Sequence, residues 1–240
     1  MATNNYVLIH GAWLGKFCWA EVTPRLEALG NNVLTIDLPA HGDDLTLAEN
    51  TSLDGYRDAV LGLIGNLTDI ILVGHSMAGI VISAVAEAMP DRLKALVYLS
   101  AYLPRSGESL DRLSSEDKES LVGQYWRQEH PEQYSLAWVA PEGIVKVFGA
   151  DCSSHYQDLL LNRHRPEPIP PLATPITLSE TRYGSVPRYY IETLADRTVS
   201  HQLQTLMLSK VSVRQAIHCH LYPAGRSHLV WISSYDNLGS

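Results

Sequence analysis

The segment Gly74-His-Ser-Met-Ala-Gly79 holds the residues of this chain best suited to chemistry. A serine between small residues, with an apolar run before it and a helical pattern after it, fits a nucleophile elbow, a turn so tight that the serine takes an unfavourable backbone conformation. The usual G-x-S-x-G pattern is altered, because its fifth position is Ala78, with Gly79 following at once. The competing reading is an ordinary turn serine. A serine hydroxyl is a poor nucleophile at neutral pH unless a base takes its proton and a carboxylate orients that base. The chain order Ser, acid, His, each at the carboxyl end of a strand, is met by Asp196 in Leu-Ala-Asp-Arg-Thr198 and by His228 in Gly225-Arg-Ser-His-Leu229. Taken singly, Asp196 reads equally well as an Asx turn and His228 as a surface-loop histidine; their joint placement behind Ser76 favours a triad. An acyl-transfer site also needs donors for the developing oxyanion. The backbone amides of Ala12, after His10-Gly11, and of Met77, after the candidate nucleophile, are the candidates, although Gly11 also fits a plain turn.

The remaining histidines have humbler readings. His10 and His75 stand at strand ends, where they suit hydrogen-bond support of the turns; His41 is in a loop, His201 starts a late helix, and His130, His155 and His164 lie in the middle of the chain. His218 and His220 share one face of a strand and resemble a metal pair, but no carboxylate or third histidine is near them in sequence, so no metal is expected. Cys18, Cys152 and Cys219 are far apart and form no C-x-x-C pair, which suggests neither a disulfide framework nor a thiolate zinc site.

The elements that must position these residues alternate in type. Tyr6 to Ile9, Val33 to Ile36, Ile70 to Val73 and Leu96 to Leu99 are short apolar runs; helical spacing separates them at Trp19 to Leu29, Leu53 to Leu67 and Met77 to Met89. Continuous apolar strands separated by helices predict a parallel sheet covered on both faces. Nine of the thirteen prolines then fall between Pro104 and Pro187, with Trp126, Trp138 and Phe148 among them, and this segment reads as an inserted cap of short helices and loops. The alternation resumes with a strand at Arg188 to Ile191, a helix near Ser200 to Ser209 and a strand at Ala216 to Tyr222. One domain over residues 1–240 with the cap at about 104–187 is the expected organisation. The 240 residues, 45% apolar and 18% charged with a formal charge of −8, describe an ordinary globular chain. Net acidity argues against nucleic acid or an anionic membrane surface as partner. The first residues lack the basic and long apolar stretches of a signal peptide, and Ile70 to Ala86 is interrupted by Gly74, His75, Ser76, Gly79 and Ser83, so neither export nor a membrane span is expected and a cytoplasmic location fits best.

Val7 to Trp19, Asp37-Leu-Pro-Ala-His-Gly42, Val73 to Gly79, Tyr98 to Pro104, Tyr189 to Thr198 and the late His228 together resemble the plant methylesterase and hydroxynitrile-lyase branch of the α/β-hydrolases, with its bacterial esterase relatives, some of which hydrolyse pyrethroids. The resemblance implies an α/β-hydrolase fold and a cofactor-independent serine carboxylesterase, with Ser76 as nucleophile, Asp196 as acid, His228 as base, and Ala12 and Met77 as oxyanion amides. Small hydrophobic or aryl esters, pyrethroid and methyl esters included, are the expected substrates, with Trp13, His75, Trp126 and Trp138 as candidate binding residues. Where this chain has Gly11 and Leu229, the lyase members carry a threonine and a lysine, and the missing lysine charge favours ester hydrolysis over cyanohydrin cleavage. A non-catalytic, hormone-receptor-like binder is the reading from another class. Only twelve residues follow His228, fewer than the family's closing helix, so a last packing layer that is short, remodelled or supplied by a second copy in a homodimer is the remaining expectation.

Overall fold

Three of the four apolar runs, Tyr6 to Ile9, Ile70 to Val73 and Leu96 to Leu99, become strands buried on both faces, whereas the run of Val33 to Ile36 forms a half-buried edge strand. In the computed structural model, which describes residues 3–129 and 135–219, β1 (Asn5–Ile9) is followed by α1 (Thr23–Ala28), β2 (Asn32–Ile36), α2 (Leu53–Ile64), β3 (Ile70–His75), α3 (Ala78–Ala88) and β4 (Leu93–Leu99). After the insertion come β8 (Arg188–Thr193), α9 (His201–Lys210) and β9 (Gln215–Cys219). The six strands form one parallel sheet in the order β2-β1-β3-β4-β8-β9. Alternate residues face opposite cores: Val7, Ile9 and Leu72 join one apolar cluster, whereas Tyr6, Leu8 and Val73 join the other with Trp19 and Leu26. This two-sided burial explains why the strands read as continuous apolar runs rather than as an alternation.

The helix expected at Trp19 to Leu29 is shorter. Lys16–Trp19 forms a separate 3-10 turn, and α1 begins at Thr23 with Pro24 in its first turn, where a missing N–H costs nothing. α2 stops at Ile64, with Gly65 at a φ of 54°. Its start is capped by Ser52, whose hydroxyl accepts from the amide of Gly55. The strand expected to reach Tyr222 is described only as far as Cys219.

Residues between β4 and β8 differ most from expectation. They contain short helices, α4 (Leu110–Ser114), α5 (Val122–Tyr125), α6 (Pro141–Phe148), α7 (Ser154–Arg163) and α8 (Ile169–Ala173), but also three strands, β5 (Trp126–Glu129), β6 (Leu136–Val139) and β7 (Glu167–Pro168). These pair antiparallel in the order β5-β6-β7. The insertion is not an independent layer: Val139, Ile144, Val147, Phe148 and Leu172 belong to the same apolar cluster as Ala12, Trp13 and Met77. No helix among the described residues is long and apolar enough to cross a membrane.

Candidate active site

Ser76 directly follows β3 with a φ of 54°, in the left-handed region that an L residue enters only under constraint. The constraint is visible in its neighbours. The Ser76 amide donates to the carbonyl of Leu99 at 3.3 Å, and its own carbonyl accepts from the amides of Tyr102 and Gly79, each at 3.1 Å. A Cβ at Gly74 would stand 2.8 Å from the carbonyl oxygen of Ala78, and one at Gly79 would collide with that of Tyr102. Ala78 is the first residue of α3, where helical backbone carries a methyl without strain, so the altered motif keeps glycine at the positions where close approach requires it. Across from the turn, a Cβ at Gly11 would come within 2.9 Å of the Ser76 Cβ. The chain leaving β1 therefore passes directly beside Ser76, with Ala12 the next residue along.

Asp196 lies beyond β8, two strands from β3 in the sheet. Its Oδ1 accepts from the amides of Thr198 at 2.7 Å and Val199 at 3.1 Å, and its Oδ2 from the Thr193 hydroxyl at 3.0 Å. The Asx-turn reading is thus correct as local geometry, and it leaves a buried carboxyl in a fixed pose. The turn is braced by the buried Gln204 of α9, whose amide group donates to the carbonyls of Thr193 at 3.1 Å and Val199 at 2.7 Å and accepts from the Thr193 amide at 3.0 Å. The Ser100 hydroxyl, at the end of β4, pairs with that of Thr193. Burial pushes the Asp196 carboxyl up to about 7, against the hydrogen bonds from Thr198, Thr193, Val199 and Ser100. β3, β4 and β8 are laced together at this edge, since the Ser100 amide donates to Ile191 at 2.9 Å as that of Ser76 does to Leu99. His228, the expected base, and His220 lie outside the described residues.

A family model described as the alpha/beta hydrolase family matches residues 6–238. The chain belongs to the alpha/beta hydrolase family. It is 30% identical to methylesterase 2 of Arabidopsis thaliana over 237 residues, spanning 92% of this chain and 85% of that protein. It is 27% identical to salicylic acid-binding protein 2 of Nicotiana tabacum over 227 residues, 89% of this chain and 87% of the relative. Among solved structures, polyneuridine aldehyde esterase superposes with a TM-score of 0.86 at 21% identity, covering 99% of this chain and 98% of the other. A pyrethroid hydrolase from Sphingobium faniae JZ-2 superposes with a TM-score of 0.81 at 24% identity, covering 93% and 91%. These similarities establish the hydrolase fold over nearly the whole chain.

Within this hydrolase the loop after β1 is gripped by a residue from the insertion. Trp13 has a φ of 62°. Its amide donates to Glu167 Oε2 at 2.9 Å, its carbonyl accepts from the Arg165 amide at 3.1 Å, and its indole N–H donates to the Ala137 carbonyl at 3.1 Å. Glu167 is wholly buried, and the same Oε2 lies 2.7 Å from His41 Nε2. The other nitrogen of His41 faces the carbonyl of Pro39 at 3.1 Å. Two acceptors require two donors, so His41 is an imidazolium. Burial pushes its pKa down, but the charge and hydrogen bond of Glu167 outweigh that and raise it. His10, 4.9 Å away ring to ring, is the opposite case. Its Nε2 accepts from the Leu38 amide at 3.1 Å while Nδ1 donates to the Gly11 carbonyl at 2.8 Å, which fixes a neutral ring. Burial, then the nearby charge of His41, lowers its pKa to about 3.

The aromatic candidates separate into two groups. Trp13 meets Trp126 edge-on at 6.0 Å and Phe148 at 5.6 Å, forming one ring cluster between the β1 loop and the insertion. Trp138 instead lines a hollow of about 460 Å³ with Leu136, Pro141, Leu161 and His164, residues of the insertion alone. The His75 ring packs edge-on against Trp19 at 6.5 Å, in keeping with support of the turn. Sequence reading missed the roles of Glu167 and His41. No local signal marked Glu167, because an acid among the prolines of Pro166-Glu-Pro-Ile-Pro-Pro171 reads as a solvated loop residue.

Proposed function

We propose that this hydrolase is a serine carboxylesterase for small esters with hydrophobic or aryl groups, acting through an acyl-enzyme. The observation that carries the reading is the strained Ser76, held in the left-handed region beside the β1 loop and laced to the strand ends that lead to the buried carboxyl of Asp196. The Ser76 hydroxyl adds to the ester carbonyl as His228 takes its proton, and the oxyanion is received by the amides of Ala12 and Met77. Collapse expels the alcohol, which takes the proton from His228; water then repeats the sequence on the acyl-serine and releases the acid. Asp196 orients the imidazole, and the imidazolium formed during attack draws its raised pKa back towards the carboxylate.

Support for ester chemistry comes from the methylesterase and pyrethroid hydrolase relatives, and support for apolar groups from the cluster that Trp126 and Phe148 of the insertion form with Trp13 of the β1 loop. Steady-state release of p-nitrophenol from short acyl esters, abolished in a folded Ser76→Ala protein, is the expected result. Stoichiometric release without turnover, or turnover that survives Ser76→Ala, would overturn the reading. The same measurement separates an esterase from a protein that only binds.

A further inference from the structure

The expectation of no metal rested on His218 having no carboxylate or third histidine nearby, and the fold supplies both. Glu192 on β8 is the register partner of His218 on the adjacent parallel strand β9, so their side chains stand side by side on one face. His201, the first residue of α9, closes over the same point. Glu192 Oε1 lies 3.1 Å from His218 Nδ1, and Oε2 lies 3.2 Å from His201 Nε2. One nitrogen or oxygen from each of the three residues lies within 4.8 Å of the others.

From this geometry we propose that Glu192, His201 and His218 form a binding site for a zinc-type divalent cation. Ligand atoms around a tetrahedral zinc stand roughly 3.3–3.5 Å apart, given bonds of about 2.0–2.2 Å. The two separations, each to a different oxygen of Glu192, are close to this, so an ion held by one or both oxygens lies within reach of both imidazoles, which are 42% and 63% exposed and can adjust. The carboxylate is the anchor: Glu192 is only 3% exposed, and a bound cation would take over the place that the two imidazoles hold at its oxygens. Two imidazoles with one carboxylate, and remaining positions open to water, favour zinc-like ions over calcium or magnesium, which take oxygen ligands. The N-terminal dipole of α9 opposes a cation there by about half a charge, but the full charge of Glu192 in direct contact outweighs it. Glu192 and His201 bracket the turn that carries Asp196, so a bound ion would pin both ends of that turn to β9.

The test reads metal binding rather than hydrolysis, and its outcome is independent of the esterase reading. Protein stripped with EDTA is titrated with zinc chloride against a chromogenic chelator, and its thermal midpoint is followed with and without zinc. The wild type is expected to take up one zinc per chain and to melt higher when loaded. His201→Ala, His218→Ala and Glu192→Gln should each bind at least about 10-fold more weakly, whereas His155→Ala, at an exposed histidine elsewhere, binds as the wild type does. The two histidine variants alter exposed side chains and keep the test decisive if Glu192→Gln fails to fold. No saturable binding by the wild type, or binding that either His201→Ala or His218→Ala leaves unchanged, overturns the three-ligand site.

Discussion

At the scale of single residues, the strained turn at Ser76 is held largely by its neighbours in sequence. The strand before it, the helix after it and the glycines that admit the backbones of Ala78 and Tyr102 all lie within Ile70 to Tyr102. Asp196 was singled out by chain order alone, and its hydrogen bonds to Thr198 and Val199 are equally local. Glu167 was not, because its partners Trp13, His41 and Tyr56 are 154, 126 and 111 residues away. The cluster of Glu192, His201 and His218 escaped for the same reason: only the pairing of β8 with β9 makes the first and last of them neighbours. For the proposed triad, Ser76→Ala and His228→Ala should each lower kcat by on the order of 10³-fold or more, and the double variant should fall no further than the worse single one, since the members act as a unit. Additive losses on p-nitrophenyl acetate would argue against a shared proton path.

At the scale of elements, the parallel strands declared themselves as unbroken apolar runs, whereas the antiparallel sheet of the insertion did not. β5 reads Trp-Arg-Gln-Glu and β7 is a Glu-Pro pair, so neither carries a period or a β-rich composition; they are strands because β6 pairs with both. β7 brings Glu167 beneath the β1 loop, and this makes the insertion part of the proposed oxyanion machinery. Glu167→Ala removes one member of a buried ion pair, a change that costs about 3–5 kcal/mol, measurable by chemical denaturation. Glu167→Gln keeps one oxygen for the Trp13 amide but loses the charge that faces His41 and puts an NH2 donor in place of the second oxygen, beside the Tyr56 hydroxyl, so the hold on the β1 loop is weakened. If the β1 loop presents Ala12 to the oxyanion, Glu167→Gln should lower kcat by roughly 10- to 100-fold through misplacement of that donor, with KM for a small ester changing less. A folded Glu167→Gln protein with wild-type kcat would show that the grip is structural alone. Close packing makes its own prediction at α3: Gly79→Ala drives a methyl into the Tyr102 carbonyl and should destabilise by about 1–3 kcal/mol. An unchanged denaturation midpoint would mean the helix can move off the sheet without cost.

At the scale of the whole molecule, two buried groups pull the acid response of folding in opposite directions. His10 has a folded pKa of about 3 against an ordinary value of 6.5, so between these pH values the unfolded chain binds a proton that the folded one does not, and stability is lost as pH falls through that window. The gap corresponds to a ceiling of roughly 5 kcal/mol. Asp196 is raised from 3.8 to about 7, so over that interval the folded state holds the extra proton and stability is gained as pH falls. Its ceiling, roughly 4 kcal/mol, nearly cancels the first. His41 adds nothing below 6.5, because its raised pKa leaves it protonated in both states there; its pair with Glu167 loses stabilising effect only as pH rises through the raised value. Between pH 4 and 7 these two contributions largely offset one another, while burial of His164, which lowers its pKa, adds a loss as pH falls below 6.5; substitution exposes the opposing slopes of His10 and Asp196. His10→Gln retains an acceptor for the Leu38 amide and a donor for the Gly11 carbonyl but cannot titrate, so it should gain stability relative to the wild type as pH is lowered from 7 to 4. Asp196→Asn should lose stability relative to the wild type over the same range. Urea denaturation of the three proteins at pH 4, 5, 6 and 7 reads both slopes directly. Parallel profiles for the wild type and His10→Gln would mean that His10 is not held neutral in the folded state, and the charge pattern assigned to the His10 and His41 pair would fall with it.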